Sequence, residues 1–148
     1  MVELTGTIDV PPSPISPPPA TNADGAIAIE GAGIRSSRWT KINGVFNALL
    51  IQAKFDYGDG GESVVVRVQT SLDEGATAID LVCLGFEKES GLKLVNISGL
   101  TPRMPFTPEP LKPGAINDGV VGDHLRWQIT SKGVYVRTKL TLRLVPRV

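Results

Sequence analysis

Between His124 and Val145 apolar residues recur at every second position, with Leu125, Trp127 and Ile129 before Ser131-Lys132-Gly133 and Val134, Val136, Leu140, Leu142 and Leu144 after it. A period of two belongs to strands with one buried face, not to helices. Taking Lys132-Gly133 as a two-residue primed turn, with glycine supplying the positive φ, sets Ser131 opposite Val134. Counting outward then puts Ile129 opposite Val136, Trp127 opposite Thr138 and Leu125 opposite Leu140 on the inner face. The outer face pairs Arg126 with Lys139, Gln128 with Arg137 and Thr130 with Tyr135. A slip of one residue would drive Arg137, Lys139 and Arg143 into the core, so this register is expected to be strongly specified. The expected product is a half-buried hairpin that needs a second layer to cover it.

That second layer is within the means of the chain. A domain of 148 residues hides roughly 70% of the surface its unfolded chain exposes. One cysteine, Cys83, excludes an intrachain disulfide framework, and one histidine, His124, excludes most histidine-based metal sites. Fifteen basic and fifteen acidic side chains cancel, so no global charge draws the protein to nucleic acid or an anionic membrane. The first residues, Met1-Val2-Glu3-Leu4-Thr5, resemble no signal peptide, and no apolar run is long enough for a spanning helix. A soluble protein made in a reducing cytoplasm is expected. Sixteen glycines and twelve prolines among many Val, Ile, Leu and Thr residues read as strands and turns.

Along the chain, Val2, Leu4, Ile8 and Val10 alternate with Glu3, Thr5, Thr7 and Asp9 as a short strand does. Residues 11–19 follow with six prolines, among them Pro12, Pro14 and Pro18 around Ile15, a stiff polyproline II rod of ~28 Å that cannot join a sheet interior. Residues 1–23 therefore form an extended arm, which a neighbouring subunit would hold down, and residues 24–148 form the domain. Ala26–Glu30 reads as a strand and Gly31–Arg35 as a turn. Both faces of Phe46–Asp56 are apolar, which suits a central strand covered on both sides or by a partner; a helix over Val45–Lys54 is the alternative. Tyr57–Gly61 is expected to close a hairpin into a strand over Ser63–Thr70. Leu72-Asp73-Glu74-Gly75 has the form of a type I turn ending on a left-handed glycine before a strand over Ala78–Phe86, and another strand follows over Leu92–Ile97. Thr101–Asp123 carries five prolines without periodicity, a loop long enough to be functional or interfacial, with Met104 and Phe106 as anchors beside Pro108 and Leu111. About eight half-apolar strands bury best as an all-β fold, an antiparallel two-sheet sandwich of jelly-roll type.

Chemistry-bearing residues are sparse. Cys83, inside Leu81-Val82-Cys83-Leu84, reads as a small buried apolar residue rather than a nucleophile. His124 stands alone, with no second His or Cys able to join it, and Gly31-Ala32-Gly33 is too short for a nucleotide loop. Asp56, Asp59 and Glu62, with Asp73, Glu74 and Asp80, are of the type a calcium site uses, but their spacing fits solvated turns better. Arg126, Arg137, Lys139 and Arg143 are expected to share a solvent-facing strand surface able to dock on an acidic neighbour. A sugar platform would have to come from Trp39, Tyr57 and Tyr135, because the chain holds only eight aromatic residues. Pro11–Pro14 and Pro14–Pro17 also fit the P-x-x-P spacing of groove ligands. No enzyme activity and no cofactor or metal are expected.

The run Val66-Arg67-Val68-Gln69-Thr70-Ser71-Leu72-Asp73-Glu74-Gly75-Ala76-Thr77-Ala78-Ile79-Asp80, the later Asp118-Gly119-Val120-Val121-Gly122-Asp123-His124-Leu125-Arg126 and the Thr-rich last strand resemble small β-sandwich virion proteins of tailed bacteriophages. The resemblance spans about residues 40–145 and carries no catalytic residues. It implies a structural virion protein of the capsid decoration or cement type, assembled in the host cytoplasm. The implied partners are copies of itself, a homotrimer in the first instance, and the major capsid protein or other virion proteins, without nucleic acid or membrane. On that reading the arm (Val2, Leu4, Ile8, Val10, Pro12, Pro14, Ile15, Pro18), the long loop and the basic residues are the partner-binding elements. A receptor- or carbohydrate-binding module of a tail or fibre, or a neck or tail adaptor, is the alternative.

Overall fold

The computed structural model describes residues 26–42, 47–98, 109–118 and 121–147. The arm residues Val2 to Pro18, the strand expected over 2–10, and Met104, Phe106 and Pro108 lie outside them. The described residues form β1 (Ile27–Ile29), β2 (Gly33–Ser36), β3 (Thr40–Lys41), β4 (Ala48–Asp56), β5 (Asp59–Gly60), β6 (Ser63–Ser71), β7 (Ile79–Phe86), β8 (Gly91–Ser98), β9 (His124–Lys132), β10 (Tyr135–Val136) and β11 (Thr138–Arg147), with no helix among them.

Two antiparallel sheets stack, the first in the order β1-β11-β4-β8 and the second in the order β2-β9-β6-β7, with β3 following β2 along β9. Successive long strands switch sheets, except β6 and β7, which form a hairpin within the second sheet. This is the expected jelly-roll sandwich. Period-two alternation builds it. Leu49, Ile51, Ala53 and Phe55 on β4 face Val64, Val66 and Val68 on β6 and Leu125, Trp127 and Ile129 on β9, all buried in one core with Leu140, Leu142 and Leu144 of β11. Each such Leu, Ile, Val or Phe contributes ~1.5–3 kcal/mol on burial, which is why the pattern outweighs local preferences.

The hairpin expected over His124–Val145 does not form. β9 pairs with β6 and β2, so Ile129 faces Val66, Trp127 faces Val68 and Leu125 faces Thr70. β11 pairs instead with β4 and β1, and Leu140 faces Phe55. Periodicity decides which face of a strand is buried, not which edge is paired, and both arrangements keep Leu125, Trp127, Ile129, Leu140, Leu142 and Leu144 inside. Between the strands, positive φ at Gly133 (81°) and Arg137 (51°) carries the chain from one sheet to the other. Val134 and Val136, expected inside, are 69% and 48% exposed, whereas Tyr135, expected outside, is buried.

Tyr57–Gly61 is likewise a crossing between sheets and not a hairpin. The two crossings pair with each other, Tyr135 opposite Gly60 and Val136 opposite Asp59, which closes one end of the sandwich. Residues 48–56 are strand, so the helix alternative falls; burial alternates along them as a sheet requires. The turn placed at Gly31–Arg35 is confined to Gly31-Ala32, and β2 starts at Gly33. Gly75 is left-handed as expected, but Glu74 is too, at φ 58°, which rules out a type I turn.

Candidate functional site

The outer face of the first sheet is the surface most in need of a partner. Cross-strand neighbours share a face, so Leu50 lies between Val145 and Asn96, Gln52 lies between Arg143 and Leu94, and Lys54 lies beside Leu92. Leu50, Leu92 and Leu94 are 39%, 57% and 68% exposed. Together with Arg143, Val145 and Arg147 this face holds a shallow groove of about 510 Å³. Leucines clustered on a solvent-facing sheet and rimmed by arginines have the make-up of an interaction surface. The doubly apolar Leu49-Leu50-Ile51 was the signal for it in the sequence, but β8's share, Leu92 and Leu94, was not recognised.

β8 forms an edge of that sheet, with β4 as its only strand neighbour among the described residues. Long exposed edges are normally blunted by charge, proline or a bulge. β8 has eight residues and one charged side chain, Lys93. That ammonium turns away from the outer face, donating to the Gly85 carbonyl and lying 4.9 Å from the Phe86 ring centre. Among the described residues the edge is therefore left open, with two leucines beside it.

The outer face of the second sheet is polar and largely self-satisfied. Asp80, 5% exposed, accepts from Arg67 Nε at 3.2 Å, Gln69 Nε2 at 2.6 Å and the Leu111 amide at 3.0 Å. Arg67 also donates to the Leu111 carbonyl, Arg126 Nε donates to Gln69 Oε1 at 2.7 Å, and the Arg126 guanidinium lies 4.6 Å above the Trp39 ring. Leu111, expected as a partner contact, is half-buried and used inside the molecule. Residues 109–118 cover the free edge of β7 through the Gly114 amide to the Cys83 carbonyl, the Cys83 amide to the Ala115 carbonyl and the Asn117 amide to the Leu81 carbonyl. Cys83 is thereby buried, and desolvation pushes its thiol up despite the opposing Arg67 charge.

The four residues expected to form one basic face do not share it. Arg126 lies on the outer face of the second sheet, Lys139 and Arg143 lie on that of the first, and Arg137 sits at the corner between β10 and β11. The error follows from the mistaken hairpin register. Trp39 packs near Gly75 and Arg126 at one end of the second sheet, while Tyr57 and Tyr135 meet edge-on at the other end, 6.1 Å apart. Those three rings make no common platform. Asp59 is occupied with the Gly60 amide, and among the described residues no cluster of three or more Asp, Glu, His or Cys side chains could hold a metal ion. His124 Nδ1 is 2.8 Å from Asp123 Oδ1, and this contact holds the Asp123 carboxyl below its ordinary range. No protein family, curated protein or solved structure matches this chain.

Proposed function

We propose that this protein is a non-enzymatic virion structural protein of the capsid decoration or cement type, a rigid jelly roll that grips a shell and its own copies. The observation that supports this reading best is the outer face of the first sheet, where Leu50, Leu92 and Leu94 stay exposed beside Arg143 and Arg147 on an otherwise well-packed sandwich. Jelly rolls recur in capsid and lectin domains, so the fold admits the role without assigning it. Repetition around a shell turns modest contacts of this kind into a stable assembly. The arm adds reach, since residues 1–25 span up to ~80 Å when extended. The carbohydrate-binding alternative is weaker because Trp39 and Tyr135, the rings it would use, already pack against this chain's own residues.

Deletion of residues 1–20 tests the proposal. The truncated protein should keep its circular dichroism spectrum and melting profile but fail to co-sediment with purified phage shells. Undiminished loading onto shells would overturn the role given to the arm. Retained glycan binding by the truncated protein, abolished by Trp39→Ala with Tyr57→Ala, would favour the sugar-binding reading.

A further inference from the structure

The open edge of β8 and the acidic, alternating start of the chain are complementary. Val2, Leu4, Ile8 and Val10 fall on one side of an extended segment, and Glu3, Thr5, Thr7 and Asp9 fall on the other. Residues 1–25 carry Glu3, Asp9 and Asp24 and no lysine or arginine. The first sheet offers the reverse: exposed Leu92 and Leu94 on the outer side of β8, Lys93 on its inner side, and Lys54, Arg143 and Arg147 across the outer face. From these we infer that residues 2–10 of one copy add as a further strand to β8 of a second copy, apolar side chains beside Leu92 and Leu94 and acidic ones toward Lys93. This deepens the proposed function and rests on it, naming the acceptor of the arm.

Strand addition of this kind draws affinity from backbone hydrogen bonds and specificity from alternate side chains. Reach favours a neighbouring copy over the chain's own β8. The arm leaves the sheet at β1, three strand spacings from β8, a distance of ~14 Å. A polyproline II rod over the six prolines of residues 11–19 would be about twice that length and stiff, which suits the edge of a neighbouring copy better than the chain's own. Its fixed φ angles lower the entropy lost on ordering. Donor and acceptor are different surfaces, so copies can exchange arms in pairs or pass them head-to-tail around a ring such as a trimer where the rotation closes.

Light scattering on three forms of the full domain tests this: the intact chain, a chain lacking residues 1–10, and the double variant Leu92→Glu with Leu94→Glu. Both leucines are well exposed, so the double variant should keep the melting temperature of the chain lacking residues 1–10, likewise a monomer. The intact chain should have an oligomer's mass, and each altered form alone that of a monomer. Mixing the two altered forms should restore a heterodimer, because the arm of the glutamate-bearing copy meets the intact β8 of the shortened one. A synthetic peptide of residues 1–10 should likewise bind the shortened chain saturably and shift amide resonances of β8 first, a readout that does not need the double variant to fold. An intact chain that stays monomeric, an oligomer that survives loss of residues 1–10 through direct pairing of β8 edges, or a peptide that leaves β8 unshifted would each overturn the assignment. No shells are present in these mixtures, so that outcome leaves shell loading, measured separately, standing or falling by itself.

Discussion

The Tyr135 hydroxyl donates to the Glu87 carbonyl at 3.1 Å and so ties the β9–β11 crossing to the β7–β8 crossing. The Tyr135 amide donates to the Glu30 carbonyl between β1 and β2 at 2.7 Å, and its ring stands edge-on to Phe55 and Tyr57. One residue thus joins several sheet-to-sheet connections at one end of the sandwich. Tyr135→Phe should cost ~1 kcal/mol, the net worth of one hydrogen bond. Tyr135→Ala should cost ~3–5 kcal/mol, as for other large buried rings. Urea denaturation followed by circular dichroism gives both values; equal losses for the two variants would show that the ring packing is unimportant.

Gly61 lies under that ring at φ 70°, and a Cβ there would stand 2.2 Å from the Tyr135 Cζ. Gly114 has a comparable φ of 88° with no atom within 4 Å of the same added carbon. Gly114→Ala should cost ~1–2 kcal/mol, the penalty for a left-handed non-glycine. Gly61→Ala should cost at least ~1–3 kcal/mol more, the steric share. The gap between the two, read from the same urea titrations, isolates the Tyr135 contact; no gap would mean that the corner gives way freely.

The sandwich was legible because burial is periodic: Leu125, Trp127, Ile129, Leu140, Leu142 and Leu144 all face the core as the alternation demands. Pairing was not legible, because a strand with one apolar face is equally satisfied by a hairpin neighbour and by a strand from elsewhere in the chain. Gly133 was read as a hairpin turn, and nothing local marks Arg137 as left-handed. The misplaced basic face descends from that one step. The outer apolar face was half legible: Leu49-Leu50-Ile51 announces a strand apolar on both sides. In Leu92-Lys93-Leu94 the leucines stand exposed on the outer face and Lys93 on the inner one, its ammonium over the Phe86 ring, a placement that alternation alone does not announce.

Asp80 holds the covering segment 109–118 to β7, since its carboxylate binds the Leu111 amide as well as Arg67 and Gln69. Removing the Asp80 carboxylate leaves the half-buried Arg67 unmatched and three hydrogen bonds unmade, at ~1–3 kcal/mol. Asp80→Ala should fall in that range and speed amide hydrogen exchange at Cys83 and Asn117, whose amides bond across the seam. Pairing it with Arg67→Met should recover part of the loss, because no unmatched charge is then left behind. Strict additivity of the two substitutions would overturn this account of the pair.

Asp73 closes the β6–β7 loop on itself. Its carboxylate accepts from the Thr77 hydroxyl at 2.6 Å, the Thr77 amide at 2.7 Å and the Ser71 hydroxyl at 2.7 Å. These bonds, those from Thr77 first, hold its pKa down at about 2. The unfolded chain has an aspartate near ~3.9, so the folded form binds this proton less readily than the unfolded one. The stabilisation it confers is therefore complete above pH ~4 and is lost as pH falls through about 2. The Thr77 amide resonance should titrate with a midpoint near that lower value, and Asp73→Asn should remove the titration and lower stability at neutral pH more than at pH ~2. A Thr77 midpoint close to that of a free aspartate would show that the loop bonds do not favour the charged form.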